Sequence, residues 1–261
     1  MASAILFNRY ELKYWVPQEL TAAMSRCLEP FCELDPFSAS DPQRQYFITS
    51  LYLDSPRFSL YENAVGDTMD HYKLRIRTYG EMSDGPITTE VKRKVKDVVV
   101  KSRAFIPRES YPRLFEDPCA DAPRLLSAEE MRYYNDFVIL MTRRHALPRN
   151  LVRYSREAWE STVDEYVRIT FDRKIQYQPA LGWDLNGDPR GWISLDGARE
   201  NGCGAFCSLE IKCESTFPRW LQDVVQGFDL TRDSYSKYVR AISFEREERY
   251  APDNLGREMA V

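Results

Sequence analysis

Positively charged residues occupy alternate positions in the segment "HYKLRIRTYG", residues 71–80. The charged positions are Lys73, Arg75 and Arg77, and Leu74 and Ile76 lie between them. Because successive side chains of a β-strand lie on opposite faces, this spacing predicts a strand with one basic face and one mostly apolar face. Guanidinium groups bind phosphate oxygens in forked pairs and lysines add point charge, so such a face is suited to binding phosphate.

The same alternation recurs in at least six candidate strands. Carboxylates on the charged faces are few, chiefly Glu11, Glu90 and Glu210. The cations on these faces and in the last predicted helix are Lys13, Lys73, Arg75, Arg77, Lys92, Lys94, Lys101, Arg103, Arg156, Arg168, Lys212 and Lys237. A solvated face in a chain of net charge −4 should mix the two signs more evenly. The excess of one sign predicts a site for a polyanion, such as polyphosphate or the triphosphate of a nucleotide.

Glu210 is the carboxylate best placed to anchor a divalent metal. It lies among the cations that would bind the phosphates, and hard divalent cations prefer oxygen ligands. Glu11 and Glu90 are the other carboxylates predicted to serve the metal, and Mn²⁺ or Mg²⁺ is the expected ion. The chain has only two histidines, His71 and His145, so it has little material for histidine-centred metal sites or catalytic triads.

Periodicity and turn signals predict the elements that position these residues. Strands are predicted at 7–16, 45–55, 71–80, 88–106 with a turn near 97, 150–161, 165–175, 192–195 and 206–215. Helices are predicted from Pro17 to about Cys27, at 56–66, across 107–147, at 218–228 and at 232–244. Ser127 and Glu130 have the spacing of a capping box, which marks a helix start within the third of these segments.

These elements predict an α+β fold. Antiparallel strands of this number can close on themselves, and closure removes exposed sheet edges. We therefore expect a closed antiparallel β-barrel of about eight strands that forms a tunnel, with flanking helices. A single domain is expected over residues 1–261, with a frayed tail at 246–261.

Composition and charge limit the classes of function. A net charge of −4 argues against a protein whose surface binds nucleic acid. The N-terminal segment has no signal-peptide pattern, and no apolar run is long enough to cross a bilayer. We therefore expect a cytoplasmic protein that does not itself insert into a membrane.

Nine segments, in chain order, resemble the blocks of a known family. They are "RYELKYWV", "SLYLDS", "KLRIRTYG", "EVKRK", "VKSRAF", "VRYSREAW", "VRITFDRKI", "SLEIKCE" and "SYSKYVRAI". This ordered set resembles the vacuolar transporter chaperone (VTC) domain, the polyphosphate polymerase branch of the triphosphate tunnel metalloenzyme (CYTH-like) superfamily, from about residue 7 to residue 245. The resemblance implies an antiparallel barrel whose basic tunnel holds a nucleotide triphosphate and a divalent metal.

The resemblance and the strand faces together assign roles to individual residues. The expected catalytic residues are Arg75, Arg77, Lys92, Arg156 and Arg168. The other expected phosphate ligands are Lys13, Lys73, Lys94, Lys101, Arg103, Tyr154, Lys212, Ser236 and Lys237. The chain departs from the family pattern at Ser234, where a further lysine is expected, and from the superfamily's first-strand pattern at Arg9, where a glutamate is expected. The loss of that glutamate favours the polymerase branch over the hydrolytic and cyclase branches.

The expected activity is transfer of the γ-phosphate of a nucleotide triphosphate, with ATP as the expected donor, to a growing polyphosphate chain. A terminal phosphate is already anionic, so catalysis can depend on positioning and charge neutralisation without a general base. Two alternatives are open. One is a triphosphatase in which Glu11 or Glu90 activates water, and the other is a non-catalytic module that binds polyphosphate or inositol phosphates, which the Ser234 departure favours. A membrane-protein partner that receives the polyphosphate would place the protein at the membrane periphery.

Overall fold

The computed structural model describes residues 9–80, 85–95, 98–117, 127–197, 205–214, 216–233 and 236–250. In this part of the chain the strands are β1 (Arg9–Pro17), β2 (Cys32–Leu34), β3 (Tyr46–Asp54), β4 (Asp70–Tyr79), β5 (Ile87–Val95), β6 (Val98–Ile106), β7 (Leu147–Ser161), β8 (Val167–Pro179), β9 (Ile193–Ser194) and β10 (Phe206–Glu214). The helices are α1 (Thr21–Leu28), α2 (Pro36–Ala39), α3 (Ser59–Val65), α4 (Arg113–Glu116), α5 (Ala128–Arg143), α6 (Arg219–Gly227) and α7 (Lys237–Tyr250).

The strands are hydrogen-bonded in the order β1-β10-β8-β7-β3-β4-β5-β6, with β2 on β7 and β9 on β8. Pairing is antiparallel between β1 and β10, β10 and β8, β3 and β4, β4 and β5, and β5 and β6. The predicted α+β fold, with about eight antiparallel strands and flanking helices, is confirmed. The enclosed tunnel stays a prediction.

The described residues form two compact units. Unit 1 takes its described residues from Met1–Phe47, Tyr154–Ile175 and Ser194–Tyr235. Unit 2 takes them from Ile48–Arg153, Gln176–Ile193 and Ser236–Val261. Each unit has its own hydrophobic core, and the prediction of a single domain stays a prediction.

The core of unit 2 lies on one face of β3, β4, β5 and β6. Leu51, Leu74 and Ile76 are fully buried there, together with Phe137 of α5. These strand residues alternate with the charged residues of the opposite face, so a slip of one residue in register would bury the charges and expose the core. The apolar pattern therefore determines which face presents the cations.

The core of unit 1 lies between strands β1, β8 and β10 and helices α1 and α6. Val16, Phe171 and Leu209 are at most 1% exposed, and Met24 of α1 and Leu221 of α6 pack in the same cluster. Burying side chains of this size stabilises a fold by about 1.5–3 kcal/mol each. Phe171 and Leu209 are each followed by a charged residue of the other face, Asp172 and Glu210.

Helix α5 begins with the predicted capping box. The Ser127 Oγ accepts a hydrogen bond from the backbone N–H of Glu130 at 3.2 Å, and the Glu130 carboxylate accepts one from the backbone N–H of Ser127 at 3.2 Å. Both donors would otherwise be unpaired at the first turn of the helix. This prediction is confirmed.

The prediction of helix across 107–147 is confirmed over α5 and α4 but is wrong as a continuous segment. A 3-10 turn at Arg108–Ser110, α4 and α5 divide the described residues of this segment, and β7 already begins at Leu147. Pro107 and Pro112 directly precede the turn and α4, where proline is tolerated, but proline cannot occupy a helix interior without losing a hydrogen bond. The short elements β2 and α2 were not predicted.

The first and the last predicted helices also have different bounds in the structure. A 3-10 turn at Gln18–Leu20 precedes α1, and α7 begins at Lys237 instead of Arg232 and continues to Tyr250. Ser234 and residues 251–261 lie outside the described residues. The effect of Ser234 on binding of the product chain and the fraying of 251–261 therefore stay predictions. Among the helices of the described residues, none has both the length and the apolar composition required to cross a bilayer.

Candidate functional site

The strand register of unit 2 places three lysines in one row. Lys73 of β4 lies opposite Lys92 of β5, which lies opposite Lys101 of β6. Like charges directly opposite each other on neighbouring strands are destabilising. An anion bound against this row would reduce the repulsion between those lysines that are protonated.

The next row is centred on Glu90, whose side chain is 0% exposed. Arg75 donates from Nε to the Glu90 Oε2 at 2.6 Å and also contacts it through Nη2. Arg103 donates from Nε to Oε1 at 2.8 Å, and the Lys101 Nζ lies 3.1 Å from the same oxygen. The Arg77 Nη1 lies 4.0 Å from Oε2. Four cations thus converge on one carboxylate.

This convergence changes the protonation equilibria of the cluster. Burial raises the pKa of Glu90, but Arg75, Arg77, Lys101 and Arg103 together hold that pKa well below its ordinary value. Burial is also the largest influence on Lys101, and with the neighbouring arginines it lowers the pKa of Lys101 to about 6, against the opposing effect of Glu90. The Lys101 side chain is still 39% exposed. The cluster therefore loses a proton near neutral pH unless further negative charge is bound.

Strand β3 orients the two arginines of β4. The Arg77 Nε donates to the Ser50 Oγ at 3.1 Å, and the Arg75 Nη1 donates to the Tyr52 hydroxyl at 3.3 Å. Burial by itself raises the pKa of Tyr52, but Arg75, Arg77 and Lys237 lower it below its ordinary value. The hydroxyl therefore lies in a strongly positive potential.

The first residues of α7 join the same group in unit 2. The Lys73 Nζ donates to the Ser236 Oγ at 2.9 Å, and Ser236 immediately precedes the first helical residue, Lys237. Lys94 is not brought to Glu90: its Nζ lies 2.7 Å from the carboxylate of Asp67, which is exposed. The other predicted ligands that the structure brings together in unit 2 are Lys73, Arg75, Arg77, Lys92, Lys101, Arg103, Ser236 and Lys237, with Glu90.

Unit 1 contains the remaining predicted residues, but its charges alternate in sign. Glu11 lies opposite Lys212, and Lys13 lies opposite Glu210. The Lys13 Nζ is 3.1 Å from the Glu11 carboxylate, and the Lys212 Nζ is 2.7 Å from the Glu210 carboxylate. Each of these lysines therefore has a carboxylate partner within its own unit.

Arg156 forms a forked pair with Asp172 in unit 1. Its Nε and Nη2 donate to the two carboxylate oxygens at 2.7 and 2.9 Å, and the Asp172 side chain is 0% exposed. Burial lowers the pKa of Arg156, but Asp172, followed by Tyr154 and Glu210, raises it well above its ordinary value. Tyr154 is 2% exposed, and its ring centroid is 5.3 Å from the Arg156 guanidinium carbon.

Arg168 is also paired within unit 1. Its Nη2 donates to the Asp35 carboxylate at 2.8 Å, and its Nη1 contacts Glu160. The expectation that carboxylates are few on the charged faces is wrong for this unit, because Asp172, Asp35 and Glu160 supply negative charge beside the predicted cations. The excess of positive charge is a property of unit 2.

The sequence contained signals for all three of these partners, and alternation in 165–175 places Asp172 on the same face as Arg168. Glu160 follows Arg156 by four residues in one strand, so simple alternation places it on the same face. Asp35 precedes Pro36 at a helix start, and its carboxylate accepts a hydrogen bond from the Ser38 N–H at 2.8 Å, as N-cap residues do. Two pairings had no local signal: Asp35 with Arg168, 133 positions apart, and Arg156 with Asp172, 16 positions apart.

The carboxylates differ in how well they suit a divalent metal. Within the described residues, no group of three or more histidine, cysteine, aspartate or glutamate side chains is arranged to hold a metal ion. Mg²⁺ commonly binds through one or two carboxylates, water and substrate phosphates, and Glu210 and Glu11, with 12% and 22% of their side chains exposed, fit that pattern. Glu90 does not fit the predicted metal role, because cations engage both of its oxygens.

The structure is therefore an α+β protein in which cations from neighbouring antiparallel strands contact one buried carboxylate. The family model of the VTC domain matches residues 8–245. The chain belongs to the VTC domain family, which confirms the resemblance seen in the sequence.

Three solved structures are among those to which the chain is similar. A proposed adenylate cyclase from Bacillus halodurans is 13% identical, with 87% of this chain and 92% of that chain covered at a TM-score of 0.48. A proposed adenylyl cyclase from Hippeastrum, described as having a dominant triphosphatase activity, is 15% identical over 93% of this chain and 97% of that chain, with a TM-score of 0.46. A proposed adenylate cyclase from Vibrio parahaemolyticus is 14% identical over 89% and 97%, with a TM-score of 0.43. No curated protein matches the chain.

Proposed function

We propose that this protein is a metal-dependent phosphotransferase that extends polyphosphate with the γ-phosphate of a nucleotide triphosphate, with ATP as the expected donor. Membership of the VTC domain family supports the proposal. The observation that carries it is the convergence of Arg75, Arg77, Lys101 and Arg103 on the single buried carboxylate of Glu90. With Lys101 protonated, this group has an excess of three positive charges, which the triphosphate would neutralise.

The proposed reaction is an in-line transfer between phosphates. A terminal oxygen of the polyphosphate chain forms a bond to the γ-phosphorus, the bond from that phosphorus to the β,γ-bridging oxygen breaks, and the nucleoside diphosphate leaves with the electron pair. The attacking oxygen is already anionic near neutral pH, so no side chain has to remove a proton. Arg75 and Arg77 would neutralise charge on the γ-phosphoryl oxygens as it redistributes in the transition state.

The other residues of unit 2 would bind and orient the phosphates. Lys73, Lys92 and Lys101 form the row in which an anion relieves mutual repulsion. Ser236 and Lys237 at the start of α7 would contact the chain from the same unit. Holding the reacting groups in place in this way removes much of the entropic cost of bringing two phosphates together.

Unit 1, taken by itself, contains the proposed metal ligands and further proposed phosphate ligands. Glu210, assisted by Glu11, would bind Mn²⁺ or Mg²⁺, and the metal would neutralise charge on phosphate oxygens. Arg156 and Arg168 keep their proposed catalytic role, with orientations determined by Asp172 and by Asp35. Tyr154, Lys13 and Lys212 are proposed phosphate ligands. A membrane-protein partner that receives the product stays a prediction.

The proposal is tested by the products formed from ATP. Purified protein is incubated with γ-labelled ATP and Mn²⁺, and the label is separated by gel electrophoresis into long chains and orthophosphate. Label in long chains is the expected result. Orthophosphate as the only labelled product would show that the protein is a triphosphatase and not a polymerase. Binding of ATP or tripolyphosphate without consumption would show that it is a binding module.

Arg75 and Arg93 provide a matched pair of variants for this assay. Arg75→Ala should lower polymer formation by at least a hundredfold, since it removes a charge-assisted contact to the transferred group. Arg93 lies on the other face of β5, half exposed and paired with Asp70, so Arg93→Ala should retain activity within about twofold. Equal activity in the two variants would contradict the assignment of the charged face.

A further inference from the structure

We propose that Glu90 is a positioning residue that holds Arg75, Arg103 and Lys101 converged before the phosphate chain binds. The inference rests on the proposed phosphate site of unit 2 and deepens it. It replaces the metal-ligand role that the sequence suggested for this carboxylate.

The location of Glu90 allows one side chain to organise three strands. It lies on β5, and the register places it directly opposite Arg75 of β4 and directly opposite Arg103 of β6. Its two oxygens bind different cations: Oε2 accepts a hydrogen bond from Arg75, whereas Oε1 accepts one from Arg103 and contacts Lys101. A single fully buried carboxylate therefore links the central cations across β4, β5 and β6.

Glu90 has more partners than an ordinary buried ion pair requires. In unit 1, Asp172 pairs with Arg156 through both oxygens, so the cation and the carboxylate are matched in number. Glu90 has four cations within 4.0 Å and can neutralise only one of them. An arrangement with surplus cations is suited to leaving positive charge available for a further anion.

The arginines of β4 are each held at two points. Arg75 contacts Glu90 and the Tyr52 hydroxyl, and Arg77 lies near Glu90 while donating to the Ser50 Oγ. Side chains whose orientation is set before the ligand arrives lose less entropy on binding. The side chains of Arg103 and Lys101 are 34% and 39% exposed, so without Glu90 they could rotate toward solvent.

Positioning and simple charge predict opposite effects of removing Glu90. If the carboxylate only opposes an incoming anion, Glu90→Gln should tighten phosphate binding, because the substitution removes one negative charge. If Glu90 positions the cations, the same substitution should weaken binding, because the mutually repelling side chains separate.

The test measures binding of inorganic tripolyphosphate to the full chain by isothermal titration calorimetry at fixed ionic strength. Glu90→Gln should weaken binding by at least tenfold, and Glu90→Asp, which keeps the charge on a shorter side chain, should recover part of the loss. Arginine Nε–H signals in ¹⁵N NMR spectra of the ligand-free protein provide a second readout. Arg75 and Arg103 should have slowly exchanging signals that are lost in Glu90→Gln while the backbone spectrum is retained.

Glu157 provides the matched control for loss of a buried carboxylate. It is 6% exposed in unit 1 and accepts hydrogen bonds from Ser25 and Trp159 while pairing with Arg173 at 2.8 Å. Glu157→Gln should lower stability without changing tripolyphosphate affinity.

Three results would overturn the proposal: tighter or unchanged binding by Glu90→Gln, an equal loss of affinity in Glu157→Gln, or unchanged arginine signals in Glu90→Gln. If the wild-type protein binds no tripolyphosphate, the proposed phosphate site fails. In that case the arginine signals alone still decide whether Glu90 positions Arg75 and Arg103.

Discussion

Replacing Lys101 with arginine should remove a pH dependence from phosphate binding. The pKa of Lys101 is lowered from 10.5 to about 6 by burial and by the neighbouring arginines, against the opposing effect of Glu90. The side chain is therefore largely uncharged in the ligand-free protein above pH 6. A bound phosphate chain supplies negative charge that favours the ammonium form, so binding above pH 6 must take up a proton.

The size of the effect follows from linkage. If the complex fully restores the proton, affinity falls tenfold for each pH unit above about 6, because one pKa unit corresponds to a tenfold change in equilibrium constant. Solvent screens a side chain that is 39% exposed, so we expect a smaller loss, roughly three- to tenfold per pH unit. Arginine stays protonated throughout this range. The affinity of wild type relative to Lys101→Arg should therefore fall roughly 10- to 100-fold between pH 6 and pH 8.

Calorimetric titration with tripolyphosphate at pH 6, 7 and 8 measures this ratio. Protonation of the ligand itself cancels, because both proteins bind the same ligand under the same conditions. Repeating the pH 8 titration in buffers of different ionisation enthalpy should reveal proton uptake by wild type that is absent from Lys101→Arg. A ratio that does not change with pH would refute the coupling between a lowered pKa of Lys101 and anion binding.

Two further predictions concern the metal and the fold. Glu210→Ala should abolish most of the activity and the dependence of polymer formation on Mn²⁺ concentration, because it removes the proposed metal carboxylate. As a control, Asp223→Ala on α6 replaces an exposed residue and should leave the Mn²⁺ titration unaltered. A normal Mn²⁺ titration in Glu210→Ala would contradict the metal assignment. Ser127→Ala should lower the free energy of unfolding by about 1 kcal/mol in urea denaturation, because it removes the capping box of α5; an unchanged midpoint would show that α5 does not depend on this cap.

Local patterns were sufficient to predict the charged faces. The alternation in 71–80 predicts that Lys73, Arg75 and Arg77 share a face, and the structure places all three opposite β5 on the side away from the core. Period-two alternation works here because the apolar face packs against α4 and α5, so the register is determined by burial. The capping box of Ser127 and Glu130 could also be predicted from the sequence, because it is encoded within four residues.

The partners of the charged residues could be predicted only in part. Alternation places Glu90 on the basic face, but the number of cations around it depends on the registers of β4 and β6, which a single strand does not encode. The different charge balance of the two units has the same origin. Alternation places Asp172 on the same face as Arg168, but Arg168 pairs with Asp35 and Glu160, and the fold brings Asp35 to it from 133 positions away.

We propose that the charged face of β3, β4, β5 and β6 in unit 2 binds a phosphate chain. A crystal structure of the protein with tripolyphosphate would show where the chain binds. We expect density for the phosphates within hydrogen-bonding distance of Arg75, Arg77 and Lys101, with Glu90 still paired to Arg75 and Arg103. Tripolyphosphate bound elsewhere on the protein, with these cations in contact only with Glu90 and solvent, would contradict it.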